Sequence, residues 1–283
     1  MPWRISLLFL TIIFSNVGST LSDDEEFGGL TRVCYGNTSS TNNSTSLDFQ
    51  DNVYSLLFLL VAESSSWHPT LSFFNTSVGR VSDRAYGSYL CRGDLSAKQC
   101  HNCLVNLTKF MMDQEDDNSE CIGFGGLIRC MVQYADRSKF KVYEEGLVFT
   151  YQAIGKNMTN YEQYNETLSN SMQGIVKEAG YGNWTKANFA TRTVEVTGSH
   201  EKIYTLVQCR PDISPVNCGK CLGELYSYIP DCCSGSSGGV LVHANCLMKY
   251  NNESFYGKAN RSFRPHYFQL TFLLLLTIFF KFM

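Results

Sequence analysis

The sequence predicts an α+β protein built as two tandem repeats, each an antiparallel sheet with helices, stapled by disulfides. Three observations predict it. A cysteine-bearing phrase occurs twice: residues 91–104 read CRGDLSAKQCHNCL and residues 209–222 read CRPDISPVNCGKCL, 118 positions apart. Both follow C-R-x-D-[LI]-S-x3-C-x2-C-L, and self-similarity at such a distance marks two homologous units. Within each unit, helix-spaced and strand-like runs alternate in the same order, which suits helices laid on an antiparallel sheet. Both chain ends also carry signals of the secretory route, where cysteines oxidise.

The elements follow in chain order. Residues 1–20 have the layout of a secretory signal peptide: Arg4, an apolar run over residues 5–14 too short to span a bilayer, then Val17 and Ser19 before a cleavage point. The first unit is expected over residues 27–140. Val53, Leu56, Leu57, Leu60 and Val61 give residues 47–63 a helical spacing. Ser96 is the expected N-cap of a second helix, whose three-residue gap puts Cys100 and Cys103 on one face. Gly125 and Gly126 lead into a strand-like run through Cys130 to Tyr134.

Residues 141–156 read as a connector, short enough that the two units should touch. It contains an alternating stretch, 147–151, that suits a strand of either neighbour. The second unit, 157–256, repeats the plan: a weaker helix over 161–180, a strand over 203–208, a helix capped by Ser214, and a strand-like run over 238–250 that opens on Gly238 and Gly239. Tyr86 and Tyr204 stand five residues ahead of the two phrases. Residues 263–283 end in an apolar run shorter than the roughly 20 residues of a spanning helix. With Gly257, Ala259, Asn260 and Ser262 ahead of it, this tail suits a cleaved GPI signal, or else a short membrane segment.

The compartment decides what twelve cysteines mean. In the secretory pathway, paired C-x2-C motifs oxidise to disulfides instead of holding zinc. Ten N-x-[ST] sequons agree: Asn37, Asn42, Asn43, Asn75, Asn106, Asn157, Asn165, Asn183, Asn252 and Asn260. Such a chain is expected at the cell surface or in the apoplast, held to the membrane through its C-terminal tail. Net charge is −3 with no basic cluster in the mature region, so a nucleic-acid partner has no electrostatic footprint.

The C-x8-C-x2-C spacing, the internal Asp-[Leu/Ile]-Ser and the downstream Gly-Gly, Cys and Tyr resemble the ginkbilobin-homologous domain of plants. That domain occurs twice in cysteine-rich repeat secretory proteins, in plasmodesmata-located proteins and in the ectodomains of cysteine-rich receptor-like kinases. The sequence has no kinase segment, and its tail lacks the full membrane helix and cytoplasmic end of plasmodesmata-located proteins. The resemblance implies a five-strand antiparallel sheet with two helices in each unit. It also implies the pairs Cys34–Cys121, Cys91–Cys100, Cys103–Cys130, Cys209–Cys218 and Cys221–Cys246. Nothing matches Cys34 in the second unit. One of Cys232 and Cys233 is expected in the place of Cys121, and the other is extra; a vicinal bridge, free thiols and an intermolecular bond all stay open.

Some single-domain relatives bind mannose through three residues: an asparagine after the first cysteine, an arginine six before the last, and a glutamate five after it. Here those positions hold Tyr35, Phe124 and Ala135, and in the second unit Val240 and Asn251, with Arg129 and Asp136 near the first set. The polar triad is not expected to form. Other chemistry reads as weakly. Cys218-Gly-Lys-Cys221 has thioredoxin-type spacing, but the repeat claims both cysteines for the framework. Zinc on Cys100, His101 and Cys103 fails once the thiols are oxidised. The histidines (His68, His101, His200, His243, His266) fall in no nucleophile or metal spacing, and Glu144, Glu145 and residues 115–117 suit solvated loops. No enzyme and no cofactor are expected. The expected role is an extracellular binding or adhesion module, possible in stress or defence signalling. Its partner is then an unknown extracellular protein or a cell-wall carbohydrate; the alternative role is an antifungal, lectin-like protein.

Overall fold

The computed structural model describes residues 29–37, 43–65, 72–114, 118–143, 148–152, 160–181 and 188–256. The expected signal peptide and hydrophobic tail lie outside these residues, as do Asn42, Asn157, Asn183, Asn260, His68 and His266. The first half runs β1 (Thr31–Asn37), α1 (Asn43–Glu63), β2 (Phe73–Val78), β3 (Ala85–Cys91), α2 (Ala97–Met112), β4 (Asn118–Gly125) and β5 (Cys130–Ala135). The second repeats it as β6 (Val148–Gln152), α3 (Tyr161–Tyr181), β7 (Phe189–Glu195), β8 (Lys202–Cys209), α4 (Pro215–Ser227), a short α5 (Ile229–Cys233), β9 (Gly238–His243) and β10 (Cys246–Asn251). Two five-strand sheets result, ordered β1-β4-β5-β3-β2 and β6-β9-β10-β8-β7, with every paired strand antiparallel. β6 falls inside the expected connector and belongs to the second sheet, where it pairs with β9.

Local sequence explains the helix starts. Ser96 accepts from the Gln99 N–H while the Gln99 side-chain oxygen accepts from the Ser96 N–H, so two donors of the first turn of α2 are satisfied reciprocally. Ser214 caps α4 by accepting from the Asn217 N–H, and Pro215, which has no N–H to satisfy, opens the helix. Beyond the caps, α2 turns Cys100, Cys103, Leu104, Leu107 and Met111 inward. α4 does the same with Cys218, Cys221, Leu222 and Leu225.

The period-two alternation of the strands builds three cores. On β5, Cys130, Val132 and Tyr134 face the helices of the first half; on β10, Cys246, Met248 and Tyr250 face those of the second. The residues between them point the other way. Leu90, Ile122, Phe124, Ile128 and Met131 of the first sheet meet Leu206, Val240, Val242, Ala244 and Leu247 of the second in one buried cluster. The helix-free faces therefore close on each other, giving a helix–sheet–sheet–helix sandwich.

The Sγ atoms are bonded in six pairs: Cys34–Cys121, Cys91–Cys100, Cys103–Cys130, Cys209–Cys218, Cys221–Cys246 and Cys232–Cys233. Register corrects the expectation that Cys232 or Cys233 stands where Cys121 does. Cys121 faces Tyr134 across β4 and β5, and Cys34 on β1. In the second sheet the same row is Gly239 opposite Tyr250, with Gln152 on β6. A Cβ at Gly239 would come within 2.5 Å of the Tyr250 ring, so no side chain fits at that position unless the ring moves. Cys232 and Cys233 sit instead on α5, ahead of the strand.

The two Gly-Gly pairs also prove inequivalent. Gly125 ends β4 at a hairpin whose loop is residues 126–129, whereas Gly238 and Gly239 begin β9, whose hairpin loop is Ala244 and Asn245.

Candidate functional site

The repeated C-R-x-D phrase does its work between the two halves. Each arginine first bonds its own hairpin: the Arg92 N–H donates to the Arg129 carbonyl and the Arg210 N–H to the Asn245 carbonyl, in both cases the residue before the last cysteine. Each guanidinium then grips the aspartate two residues on through two parallel bonds. Arg92 donates to Asp94 at 2.6 and 2.9 Å, and Arg210 donates to Asp212 at 2.9 and 2.6 Å. The planar fork matches a carboxylate, and this geometry holds it rigid.

Each arginine then crosses to the other half. Arg92 Nη2 donates to the Phe255 carbonyl at 3.1 Å, and Arg210 Nη2 to the Lys139 carbonyl at 3.0 Å. Lys139 and Phe255 occupy the same place in the two repeats, nine residues past Cys130 and Cys246. The clamp is thus reciprocal, like the self-complementary contact of a twofold dimer. Gln208 adds a bond each way, donating to the Cys91 carbonyl and accepting from the Gly93 N–H. Lys141 N–H donates to Asp212, and the Phe255 ring lies under Arg92 at 5.5 Å and under Lys249 at 4.6 Å. Arg210 is 1% exposed, so charge, carboxylate and carbonyl are all out of water and depend on one another.

Ile128 fixes the apolar side of the junction. It is 3% exposed within the shared core although its backbone is left-handed, at φ 62°, following Leu127 at φ 50°. A β-branched residue in that region costs about 1–2 kcal/mol, which the burial of its side chain offsets.

The positions matched to the mannose triad do not form a sugar clamp. Phe124 and Val240 are buried in the shared core and Ala135 is buried in its strand. Glu120 stands between Tyr35 and Ala135 in the register, but it pairs with the Lys139 ammonium and, at 3.2 Å, with Arg137. Phe140 closes the same end by meeting Tyr86 edge-on.

The reactive candidates are spent in structure. Cys218 and Cys221 bond to Cys209 and Cys246 instead of to each other, so both serve the repeated framework and the C-G-x-C spacing forms no redox pair. Cys100 and Cys103, weighed as zinc ligands beside His101, are likewise bonded elsewhere, and His101 Nδ1 lies 2.9 Å from the Ser64 hydroxyl. Among the described residues, the one cluster with metal-ligand geometry is Cys221, His243 and Cys246. Its two sulfurs are joined in a disulfide and supply no thiolate, while His243 Nδ1 accepts from the Asn245 N–H and its ring stacks on Tyr143. Of the sequons, Asn75 lies on edge strand β2, Asn106 on α2, exposed Asn165 on α3, and Asn252 just past β10; Asn37 ends β1 and Asn43 begins α1.

Tandem α+β units closed by intrachain disulfides, with the cysteine phrases turned inward and the arginine phrases clamped together, define a class of cysteine-rich, disulfide-stapled tandem module. Comparison agrees: a model of the salt stress response/antifungal family matches residues 33–137 and 151–253, and the chain belongs to that family. It is 28% identical over 224 residues to cysteine-rich repeat secretory protein 1 of Arabidopsis thaliana, covering 78% of this chain and 62% of that protein. Cysteine-rich receptor-like protein kinase 25 of the same plant is 26% identical over 261 residues, which is 90% of this chain but 36% of the kinase. The antimicrobial ginkbilobin-2-like protein of Castanea crenata is 28% identical, covering 87% of this chain and 94% of its own. In fold, the tandem ectodomain of the Arabidopsis thaliana receptor-like protein PDLP8 superposes with a TM-score of 0.62 at 18% identity, over 79% of this chain and 98% of that one. The PDLP5 ectodomain gives 0.57 at 20% identity. Among the described residues no helix is long and apolar enough to cross a membrane.

Proposed function

We propose that this chain is a non-enzymatic binding or adhesion module of the plant cell surface, acting in stress or defence signalling. The observation that carries the reading is where the repeated side chains go. Every cysteine among the described residues is oxidised, and both Arg-Asp pairs are consumed in the clamp. Reactive groups are thus committed to rigidity, and the outer faces are left to present surface. The units are residues 27–140 and 157–256, with β6 of the connector built into the second. Relatives named as secretory, receptor-like and antimicrobial support an extracellular setting. The tail at 263–283 serves as the anchor, of GPI type, so phosphatidylinositol-specific phospholipase C is expected to release the protein from membranes. Retention of the protein, with the tail peptide still detected by mass spectrometry, would favour a membrane helix instead.

The alternative, a lectin-like antifungal protein, draws support from the family description but not from the triad positions, which are buried or already paired. A glycan array probed with secreted protein separates the two. Mannose binding lost in Glu120→Gln would establish the lectin reading. Silence on the array, together with saturable binding to plant protoplasts, whose wall polysaccharide has been digested away, supports a protein partner.

A further inference from the structure

We infer that an N-glycan on Asn165 lies along the groove between α3 and α4 and covers its tyrosines. This rests on the extracellular reading, because only a chain that enters the lumen meets the transferase. There the oligosaccharide passes from a polyprenyl diphosphate donor to the Asn165 side-chain amide. The bond from the anomeric carbon to the diphosphate breaks, a C–N bond forms, the amide loses a proton, and the diphosphate leaves.

The groove is built before any sugar reaches it. α3 and α4 run antiparallel and come closest at two glycines: a Cβ on Gly180 would sit 2.7 Å from Gly219 Cα. Tyr181, 59% exposed, lies directly on Gly219, where a Cβ would meet its ring carbon at 2.2 Å. The hydroxyl end of that ring thus rests on the helix while the residue stays open to solvent. Toward the other end, the Tyr226 hydroxyl is held by Ser169 at 2.6 Å and by Gln173 Nε2 at 3.2 Å. Val176 and Lys177 complete the lining of a groove of about 340 Å³. Two phenol rings, Tyr226 held by hydrogen bonds and Tyr181 lying on Gly219, with one amide and one ammonium between them suit the apolar face and hydroxyls of pyranose rings. They do not suit an anion, which one lysine would hold alone, or a wholly apolar ligand, which would take the ammonium out of water.

Position names the source of the sugar. Asn165 is exposed and opens the sequon Asn165-Glu166-Thr167. It stands one turn, about 6 Å, before Ser169, and eleven residues before Val176, which returns to nearly the same side of the helix after about three turns. Asn165, Ser169 and Val176 thus form one stripe beside α4, and a chitobiose core starting at Asn165 reaches Tyr226 before its mannose arms reach Tyr181.

The test uses the full chain secreted from plant cells. Mass spectrometry is expected to find the Asn165 peptide glycosylated. On native protein, peptide-N-glycosidase A should free this glycan about tenfold more slowly than the one on Asn252, because release waits on a minor population in which the sugar has lifted off the rings. After denaturation the two rates should match. Thr167→Ala, which removes the sequon and leaves Asn165, should raise the rate of Tyr181 nitration, and Tyr181→Ala should abolish the protection of the glycan. An unmodified Asn165 beside other glycosylated sequons overturns the inference, as does equal native release. Loss of Tyr181 protection in Asn183→Gln but not in Thr167→Ala would assign the cover to another glycan, also overturning it. Sugar on no sequon at all would sink the extracellular reading itself.

Discussion

The Tyr86 ring meets the Phe140 ring edge-on, with centroids 6.0 Å apart at 74°, and the second half repeats the contact as Tyr204 against Tyr256 at 5.8 Å and 75°. The partners are ten residues past Cys130 and Cys246. In both halves, then, the segment leaving the last strand folds back over the helix-free face and is pinned by an aromatic pair. The residue before each aromatic, Lys139 or Phe255, offers its carbonyl to the other half's arginine. Strap and clamp are one device, made twice.

Breaking that device should cost more than removing a surface ion pair. Arg210→Ala leaves Asp212 without its cation, with only the Lys141 N–H on its carboxylate, and a loss of roughly 3–5 kcal/mol is expected from chemical denaturation. Arg210→Lys keeps the charge but loses the fork, so it should recover only part of that. If Arg210→Ala melts like the parent, the clamp is decorative.

Gly239→Ala should destabilise by about 1–3 kcal/mol, because its methyl group must displace the Tyr250 ring. Gly223→Ala is the control: it lies on α4 with nothing within 4 Å of a Cβ, and a gain of about 0.5–1 kcal/mol is expected. Equal effects in thermal melts would contradict the packing described for the second sheet.

Replacing Cys232 and Cys233 with serine should lower the melting temperature less than replacing Cys221 and Cys246. The first bridge spans a sequence separation of 1 and closes almost no loop, whereas the second spans 25 and joins α4 to β10. In the chain-entropy model a loop of the latter size contributes about 3–4 kcal/mol. Failure of only the Cys232/Cys233 variant to be secreted folded would reverse the ranking.

Alkaline stability should be set by buried tyrosines. Burial, reinforced by Glu63, pushes the Tyr89 phenol up to about 12, and burial likewise raises Tyr134, Tyr164 and Tyr250 above the ordinary 10.0. Above pH 10 the unfolded chain releases protons that the folded chain keeps, so stability falls as pH rises from there and is untouched by these groups below it. Phenolate absorbance should show these four, of 16 tyrosines, ionising together with the loss of circular dichroism. Their ionisation before unfolding would refute the burial.

The sequence alone determined what local chemistry determines. The serine caps at Ser96 and Ser214 and the inward cysteine faces of α2 and α4 each depend on residues within a few positions of one another, and the repeat needs only the sequence set against itself. Mixed helix and strand periods were enough for an α+β class. The role of the C-R-x-D arginines was missed, although a charged pair recurring at i and i+2 in both copies was the signal available. Only the tertiary structure decided the rest. Which sheet takes β6, and that Gly239 opposite Tyr250 replaces Cys121, are matters of register between strands distant in sequence. That Phe124 and Val240 are core residues, and not parts of a sugar site, follows from two sheets closing face to face. An exposed-looking strand face carries no mark in sequence of the partner that will bury it.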